Sequence, residues 1–324
     1  MTKHKLKLTD KRDHFKPFQY PWAYEKFLQS EQMHWLFTEV PMLEDVKDWK
    51  TKLTESEKTF LTHLFRFFTQ GDIDVAGAYV HNYLPHFPHP EVRMMLSSFA
   101  AREAVHVAAY SYLIETLGLP ETTYNEFLQY DAMKAKHDYF DSFYGQDKQT
   151  VAQQIAAFSA FTEGMQLFSS FAMLLNFTRH GKMKGMGQML AWSQSDESLH
   201  CEGMIQLFRE FIKENKAIWT PEMKAQIIEI AKHMVDLEDA FIDLAFGITE
   251  QENLTKEEVK TYIRYIADRR LIELGLKGVY KVKKNPLPWI EGMLGVTHSN
   301  FFEAKVVDYG KGALTGDWSD VWAQ

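Results

Sequence analysis

The chain carries Glu-x-x-His twice, as Glu103-Ala104-Val105-His106 and Glu197-Ser198-Leu199-His200, each within a long apolar stretch. Three residues along a helix turn through about 300°, so each Glu and His share one face and can grip one cation between them. Two such pairs predict a two-cation site, which in turn demands helices that bring the pairs together.

The turns supply that arrangement. Leu84-Pro85-His86-Phe87-Pro88-His89-Pro90 cannot continue a helix and predicts an antiparallel hairpin between the helix before it and the helix of Glu103. At about 1.5 Å of rise per residue, the position level with Glu103 on the preceding helix is Asp72. Thr178-Arg179-His180-Gly181 marks a second hairpin, and the same reckoning sets Glu163 opposite Glu197. Asp72, Glu103, His106, Glu163, Glu197 and His200 together make the ligand set of a dinuclear carboxylate site in a four-helix bundle.

Glu163 is the only charged residue between Lys148 and Arg179, in a segment apolar nearly all round, so its helix is expected to be buried. An unpaired buried carboxylate is costly, and a strong counter-charge is required. Two divalent cations would supply it; the alternative is an ion pair with a buried arginine such as Arg102. Hard carboxylate oxygens with one imidazole per ion suit iron or manganese, whereas structural zinc would want thiolates and a closed shell. Tyr110 follows His106 by one helical turn and Glu103 by two, on the same stripe. It is either a tyrosine open to one-electron oxidation or a core tyrosine bonded to a carboxylate. His81, His86 and His89 cluster in or beside the proline-rich loop and read as solvated loop residues.

Other features bound the chain. Its net charge of −8 argues against general nucleic-acid binding, and the lysines 277, 281, 283 and 284 read as a solvated face. The single cysteine, Cys201, precludes an internal disulfide and fits a reducing, cytoplasmic setting. No secretory signal is apparent, and the longest apolar run is broken by Glu163 and Gln166, so no membrane span is expected. Thr54-Glu55-Ser56-Glu57 and Thr255-Lys256-Glu257-Glu258 are capping boxes, and Thr220-Pro221 is an N-cap with proline at the first helical position. No sheet-like alternation or phosphate-binding glycine loop is found, so the expected fold is all-α. The stretch from Glu121 to about Tyr144 reads as a helix crossing between the two hairpins, and Pro286-Leu287-Pro288-Trp289 as the end of the helical body. Residues 1–295 are expected to form the metal domain. Residues 296–324, glycine-rich but ending with Trp318 and Trp322, are expected to form a flexible tail that buries its tryptophans on a partner, the alternative being that they fold back on their own domain.

Asp72, Glu103-x-x-His106, Tyr110, Glu163 and Asp196-Glu197-x-x-His200 together resemble the radical-generating small subunit (R2, or β) of class I ribonucleotide reductase, a likeness that runs from about Pro17 into the tail. The resemblance implies a ferritin-like helical bundle with additional helices, usually a homodimer. Asp72, Glu103 and His106 would hold one metal; Glu163, Glu197 and His200 would hold the other, with Glu103 and Glu197 bridging. It implies two irons, with two manganese ions or a mixed pair as alternatives, and a radical stored on Tyr110. Trp35 resembles the transfer tryptophan, with Asp196 as its hydrogen-bond partner. Tyr309 resembles the relay tyrosine toward a large catalytic subunit docked through the tail. Phe171 matches an aromatic position of the metal pocket, while Leu167 stands where many relatives have phenylalanine. Reduction of a ribose 2′-hydroxyl needs a thiyl radical and a thiol pair, which one cysteine cannot provide, so the chain is expected to need that partner. The rival reading is an R2-like oxidase or diiron hydroxylase, which would need neither Tyr309 nor the tail. A ferritin-type storage protein would need no Tyr110.

Overall fold

The computed structural model describes residues 6–124, 130–140, 142, 143 and 145–293. The chain divides into two compact units, Met1–Leu287 and Pro288–Gln324. Tyr309, Trp318 and Trp322 lie outside the described residues. Among the described residues the regular structure is helical, with one isolated antiparallel bridge between Gln251 and Leu254.

Ten α-helices are named in chain order among the described residues: α1 (Pro21–Gln32), α2 (Leu43–Thr51), α3 (Glu55–Gly77), α4 (Pro90–Thr116), α5 (Asp131–Phe140), α6 (Lys148–Gln154), α7 (Leu167–Arg179), α8 (Lys184–Glu214), α9 (Pro221–Ile248) and α10 (Lys256–Glu273). Two π-helical segments extend them, Ala78–Tyr83 after α3 and Ile155–Gln166 between α6 and α7. Helices α3 and α4 form the first hairpin, and the rod from Ile155 through α7 packs on α8 as the second. Contacts of α4 with α8 and of α3 with α7 close these into the expected four-helix core. Around it, α1 lies on α4, α2 on α8, and the mutually packed α9 and α10 lie on the π segment.

Local chemistry sets the helix ends. Thr54 Oγ1 accepts from Glu57 N at 3.2 Å while Glu57 Oε2 accepts from Thr54 N at 2.7 Å, so two orphan donors of α3 are satisfied. Thr255 and Glu258 repeat this at α10, and Thr220 caps α9 ahead of Pro221. Helix α8 is entered through Met183 in the left-handed region (φ 53°). Its free N–H groups are taken from across the bundle: Asp45 accepts from Gly185 (2.8 Å) and Met186 (2.7 Å), and Asp48 accepts from Met183 (3.1 Å). Gly181, at φ 76°, makes the turn before it.

Three expectations change. The Glu121–Tyr144 stretch is not one helix: a 3₁₀ turn at Glu121–Tyr124 precedes α5, which begins only at Asp131. Helix α10 ends at Glu273, well before Pro286, because Gly275 adopts φ 87° and Asp268 turns the chain by accepting from Val279, Tyr280 and Val282, and residues 288–293 are helical again, so Pro286–Trp289 does not end the helical structure. Of the three histidines read as loop residues, His81 lies exposed within the π segment Ala78–Tyr83 and His86 is half-buried in the turn, but His89 is fully buried. Its Nε2 lies 2.8 Å from the Lys7 carbonyl and its ring packs edge-on to Tyr20, so it fastens the N-terminal segment to the start of α4.

One buried ion pair ties α5 to α9. Lys136 Nζ lies 2.6 Å from Glu238 Oε2 and 3.7 Å from the centroid of the Phe67 ring, and both charged side chains are almost wholly enclosed. Ser169 donates to the other Glu238 oxygen. Burial pushes the Lys136 pKa down and that of Glu238 up, each opposed by its partner. Lys136→Met should therefore strand the carboxylate and cost about 3 kcal/mol or more, whereas Lys136→Met with Glu238→Leu should recover most of that loss. Urea unfolding midpoints compare the two; an equal deficit in both variants would contradict the pairing argument.

Candidate metal centre

Four elements of the core each deliver part of one enclosed site. Asp72 comes from α3, Glu103 and His106 from α4, Glu163 from the π segment, and Glu197 and His200 from α8, all fully buried. His106 Nδ1 lies 3.1 Å from Glu197 Oε1, 3.4 Å from Glu103 Oε2 and 3.9 Å from Asp72 Oδ2. His200 Nδ1 lies 2.8 Å from Glu103 Oε1, 3.5 Å from Glu163 Oε1 and 3.6 Å from Glu197 Oε2. The side chains thus fall into two clusters, Asp72–Glu103–His106–Glu197 and Glu103–Glu163–Glu197–His200, with ligand atoms in each within 4.8 Å of one another. Glu103 and Glu197 belong to both.

The chemistry of these atoms fits a pair of cations. Both oxygens of Asp72, Glu103 and Glu197, Nδ1 of His106 and both ring nitrogens of His200 are buried without a hydrogen-bond partner of acceptable geometry. Native interiors leave few such atoms, and here nine belong to five residues of the two clusters. Each cluster can offer one cation an imidazole nitrogen and several hard oxygens, a set suited to iron or manganese.

Without metal, the enclosed charges redistribute protons. Burial and the neighbouring carboxylates raise Asp72, and burial lifts Glu163 to about 8 against the pull of His200. Burial also opposes the charge on Glu103, but His106 and His200 overcome it and hold that carboxyl down at about 2. Despite burial, Asp196, Glu103 and Glu197 raise the His106 imidazole, and Glu103, Glu163 and Glu197 raise that of His200.

A further layer of contacts orients these groups. Asp196 Oδ2 accepts from Trp35 Nε1 at 2.8 Å and Arg102 Nε at 3.3 Å, and lies 3.0 Å from His106 Nε2. The Asp196 contact leaves Nδ1 of His106 facing the cluster. Trp35, 1% exposed, stacks at 5.9 Å on the His106 ring. Arg102 therefore serves Asp196, and Glu163 instead receives the Tyr79 hydroxyl at 2.9 and 3.1 Å from its two oxygens. Tyr110 is buried, with its hydroxyl 2.8 Å from Ser193 Oγ rather than bonded to a carboxylate, and its ring 4.9 Å from that of Phe68. Burial and the nearby Asp72 raise its pKa. Phe171 lies 5.2 Å from Phe68, and Leu167 is buried at the start of α7. Cys201 is buried, its thiol pushed up to about 12 by desolvation, as befits a packing residue.

Tyr79 and Ser193 are contributors that motif reading misses. Both had a positional signal, since Tyr79 lies two turns beyond Asp72 and Ser193 one turn before Glu197.

Comparison with known proteins agrees with this geometry. The family model described as ribonucleotide reductase, small chain, matches residues 12–286. A protein named probable ribonucleoside-diphosphate reductase small subunit from Invertebrate iridescent virus 3 is 51% identical, over 97% of this chain and 88% of its own. The ribonucleoside-diphosphate reductase subunit beta of Chlamydia pneumoniae is 32% identical, over 90% of this chain and 88% of its own. In fold, the chain superimposes on the ribonucleotide reductase R2 subunit from Clostridium botulinum with a TM-score of 0.80 at 23% identity, covering 87% of this chain and 91% of that one.

The proton distribution can be tested on metal-free protein. Glu163 has a folded pKa raised to about 8, so between the ordinary carboxylate range and that value the folded state holds a proton that the unfolded state has lost. Stability of the metal-free protein should fall as pH rises through this window. Glu163→Gln should flatten the fall, as read by urea unfolding from pH 5 to 9. A wild-type profile that rises over the same window would overturn the assignment.

Proposed function

The chain belongs to the ribonucleotide reductase small-chain family and is the small subunit of a ribonucleoside-diphosphate reductase; we propose that it forms an oxidising equivalent at a metal pair, stores it on Tyr110 and passes it to the large catalytic subunit. The observation that carries this reading is the pair of buried clusters sharing Glu103 and Glu197, next to an enclosed tyrosine. Asp72, Glu103 and His106 would hold one cation and Glu163, Glu197 and His200 the other. A bound pair of iron or manganese ions supplies one-electron oxidising power through its reaction with an oxidant. The donor set suits iron and manganese alike; two irons are the assignment proposed here, and metal analysis distinguishes them from two manganese ions or a mixed pair.

The side chains around the cations do the rest. Oxidation of Tyr110 to a neutral radical removes one electron and the phenolic proton together. Its raised pKa keeps that proton in place until the electron departs, and Ser193 holds the hydroxyl in a fixed direction. Phe68 and the surrounding apolar side chains exclude water and small reductants from the ring. Trp35, bonded through Nε1 to Asp196 and stacked on His106, offers an aromatic route from the centre, with Asp196 positioned to accept the indole proton. Tyr309 would continue the route toward the large subunit, and Trp318 and Trp322 would anchor the tail to it. A homodimer working in the cytoplasm completes the proposal. No helix among the described residues is long and apolar enough to cross a membrane.

Electron paramagnetic resonance on metal-loaded, oxidant-treated protein tests the reading. Tyr110→Phe should keep both metals and still consume oxidant but lose the tyrosyl signal, because a phenyl ring has no hydroxyl proton to release. An unchanged signal would move the radical to another tyrosine.

The tail is tested separately. Deleting Asp317 to Gln324 should weaken large-subunit binding by about 2 kcal/mol or more through loss of its aromatic anchors, with the metal content and Tyr110 signal unchanged. Undiminished binding would remove the tail as the docking element.

A further inference from the structure

Behind Glu163 and His200 lies a contact that the reading above does not use. Gly164 follows Glu163 in the π segment, and Cys201 follows His200 on α8. Arg270 reaches in from α10 and donates through Nε to the Gly164 carbonyl at 2.8 Å. Its Nη1 is held by Glu273 at 2.7 Å, and its side chain is only 13% exposed. A Cβ added at Gly164 would lie 2.6 Å from Cys201 Sγ and 2.8 Å from Arg270 Nε, distances that carbon does not tolerate. The backbone next to Glu163, the thiol next to His200 and the guanidinium are therefore packed against one another, with glycine the only residue that leaves room.

The location gives this contact its meaning. Within a π segment each carbonyl is bonded five residues ahead, and return to α-helix at Leu167 changes the partner of the carbonyls near the junction. Near that junction Arg270 supplies a side-chain donor to the Gly164 carbonyl. Gln166 is secured on the same side, its Nε2 donating to the Met234 carbonyl of α9 at 2.9 Å. Glu163 is thus held at its carboxylate by Tyr79, while the backbone of the next residue, Gly164, is held from α10. His200 is backed by the same wedge through Cys201. Asp72 and His106 stand on the other hairpin.

We infer that Arg270 is a positioning residue for Glu163 and His200, so that binding of a divalent cation at the cluster these two residues belong to depends on it, while binding at the Asp72–His106 cluster does not. The inference rests on the metal-pair reading proposed above. Arg270 itself contacts neither cation in this account; it acts through the Gly164 backbone and the Cys201 side chain.

The test uses the full chain, stripped of metal and titrated with Mn²⁺, with bound and free ion read by electron paramagnetic resonance and calorimetry. The unaltered protein should bind two ions. Arg270→Ala should bind one ion as before and the second about tenfold more weakly, the scale of one buried hydrogen bond. Arg270→Lys, which keeps a donor for the Gly164 carbonyl, should recover much of the second affinity. Gly164→Ala should reproduce the selective loss, because its Cβ pushes the two helices apart. Ile263→Ala, at a buried position of the same helix, controls for lost packing and should not separate the two affinities. If Arg270→Ala fails to fold, Arg270→Met, which retains the aliphatic stem without a donor, answers the same question. Two undiminished sites in the Arg270 variants, or equal weakening of both sites, would overturn the inference and leave the metal pair standing. Failure of the unaltered protein to bind Mn²⁺ would overturn the metal reading as well.

Discussion

Four carboxylates enclosed at the middle of one helical bundle are the fact to which the rest of the structure answers. At the separations seen here their mutual repulsion in a weakly polar, enclosed interior is large. Two imidazoles and retained protons compensate in part, which is why Glu103 and Glu163 are driven in opposite directions from one ordinary value. The centre of the bundle is therefore the part that opposes folding, and the apolar shell around it must supply the stability. Phe99 against His200, Phe68 against Tyr110 and Phe171, and the entirely buried run from Ile155 to Phe177 form that shell. Cations at the two clusters would turn the least favourable region of the metal-free protein into a cross-link between all four core helices.

Helices that carry opposed charges have to be held from outside. Asp45 and Asp48 fix the first turn of α8, Lys136 and Glu238 bind α5 to α9, and Arg264 pairs with Asp239 to join α10 to α9. Asp196 is the link between this scaffold and the centre, because one of its oxygens meets Trp35, Arg102 and His106. The same carboxylate thus orients a candidate ligand and supports the most enclosed indole among the described residues. Its own charge is maintained against burial by His106 and Arg102, which hold its pKa below the usual carboxylate range.

How much of this could be read in advance depended on whether a signal was local. The six clustered residues were legible because helical rise is constant, so the distance of Glu103 and Glu197 from their turns located Asp72 and Glu163 on the opposing helices. Glu163 stood out further as a lone charge in an apolar run. Tyr79 and Ser193 were hidden despite suitable spacing, since a hydroxyl on an apolar face looks like any other core position. The burial of His89 was not legible at all: its partner is a carbonyl of Lys7, and backbone acceptors leave no trace in residue order. The expected crossing helix failed at its start, where Thr122, Thr123 and Tyr124, residues of modest helix propensity, form a 3₁₀ turn instead. The π segments were equally silent, because a stretch buried on every side shows no periodicity from which to tell its pitch.

That silence has a consequence for how such a chain can vary. In the segment from Ile155 to Gln166 the position of Glu163 depends on the number of residues as much as on their identity. Loss of a single residue upstream would let the backbone relax to ordinary α-helical bonding and swing the carboxylate about 100° around the helix axis, away from its partners. Exchanges among apolar side chains here cost only packing, whereas a change of length moves the ligand itself. The π segment behaves as a reading frame written in the backbone, and its tolerance to insertion or deletion is set by the site rather than by the stability of the helix.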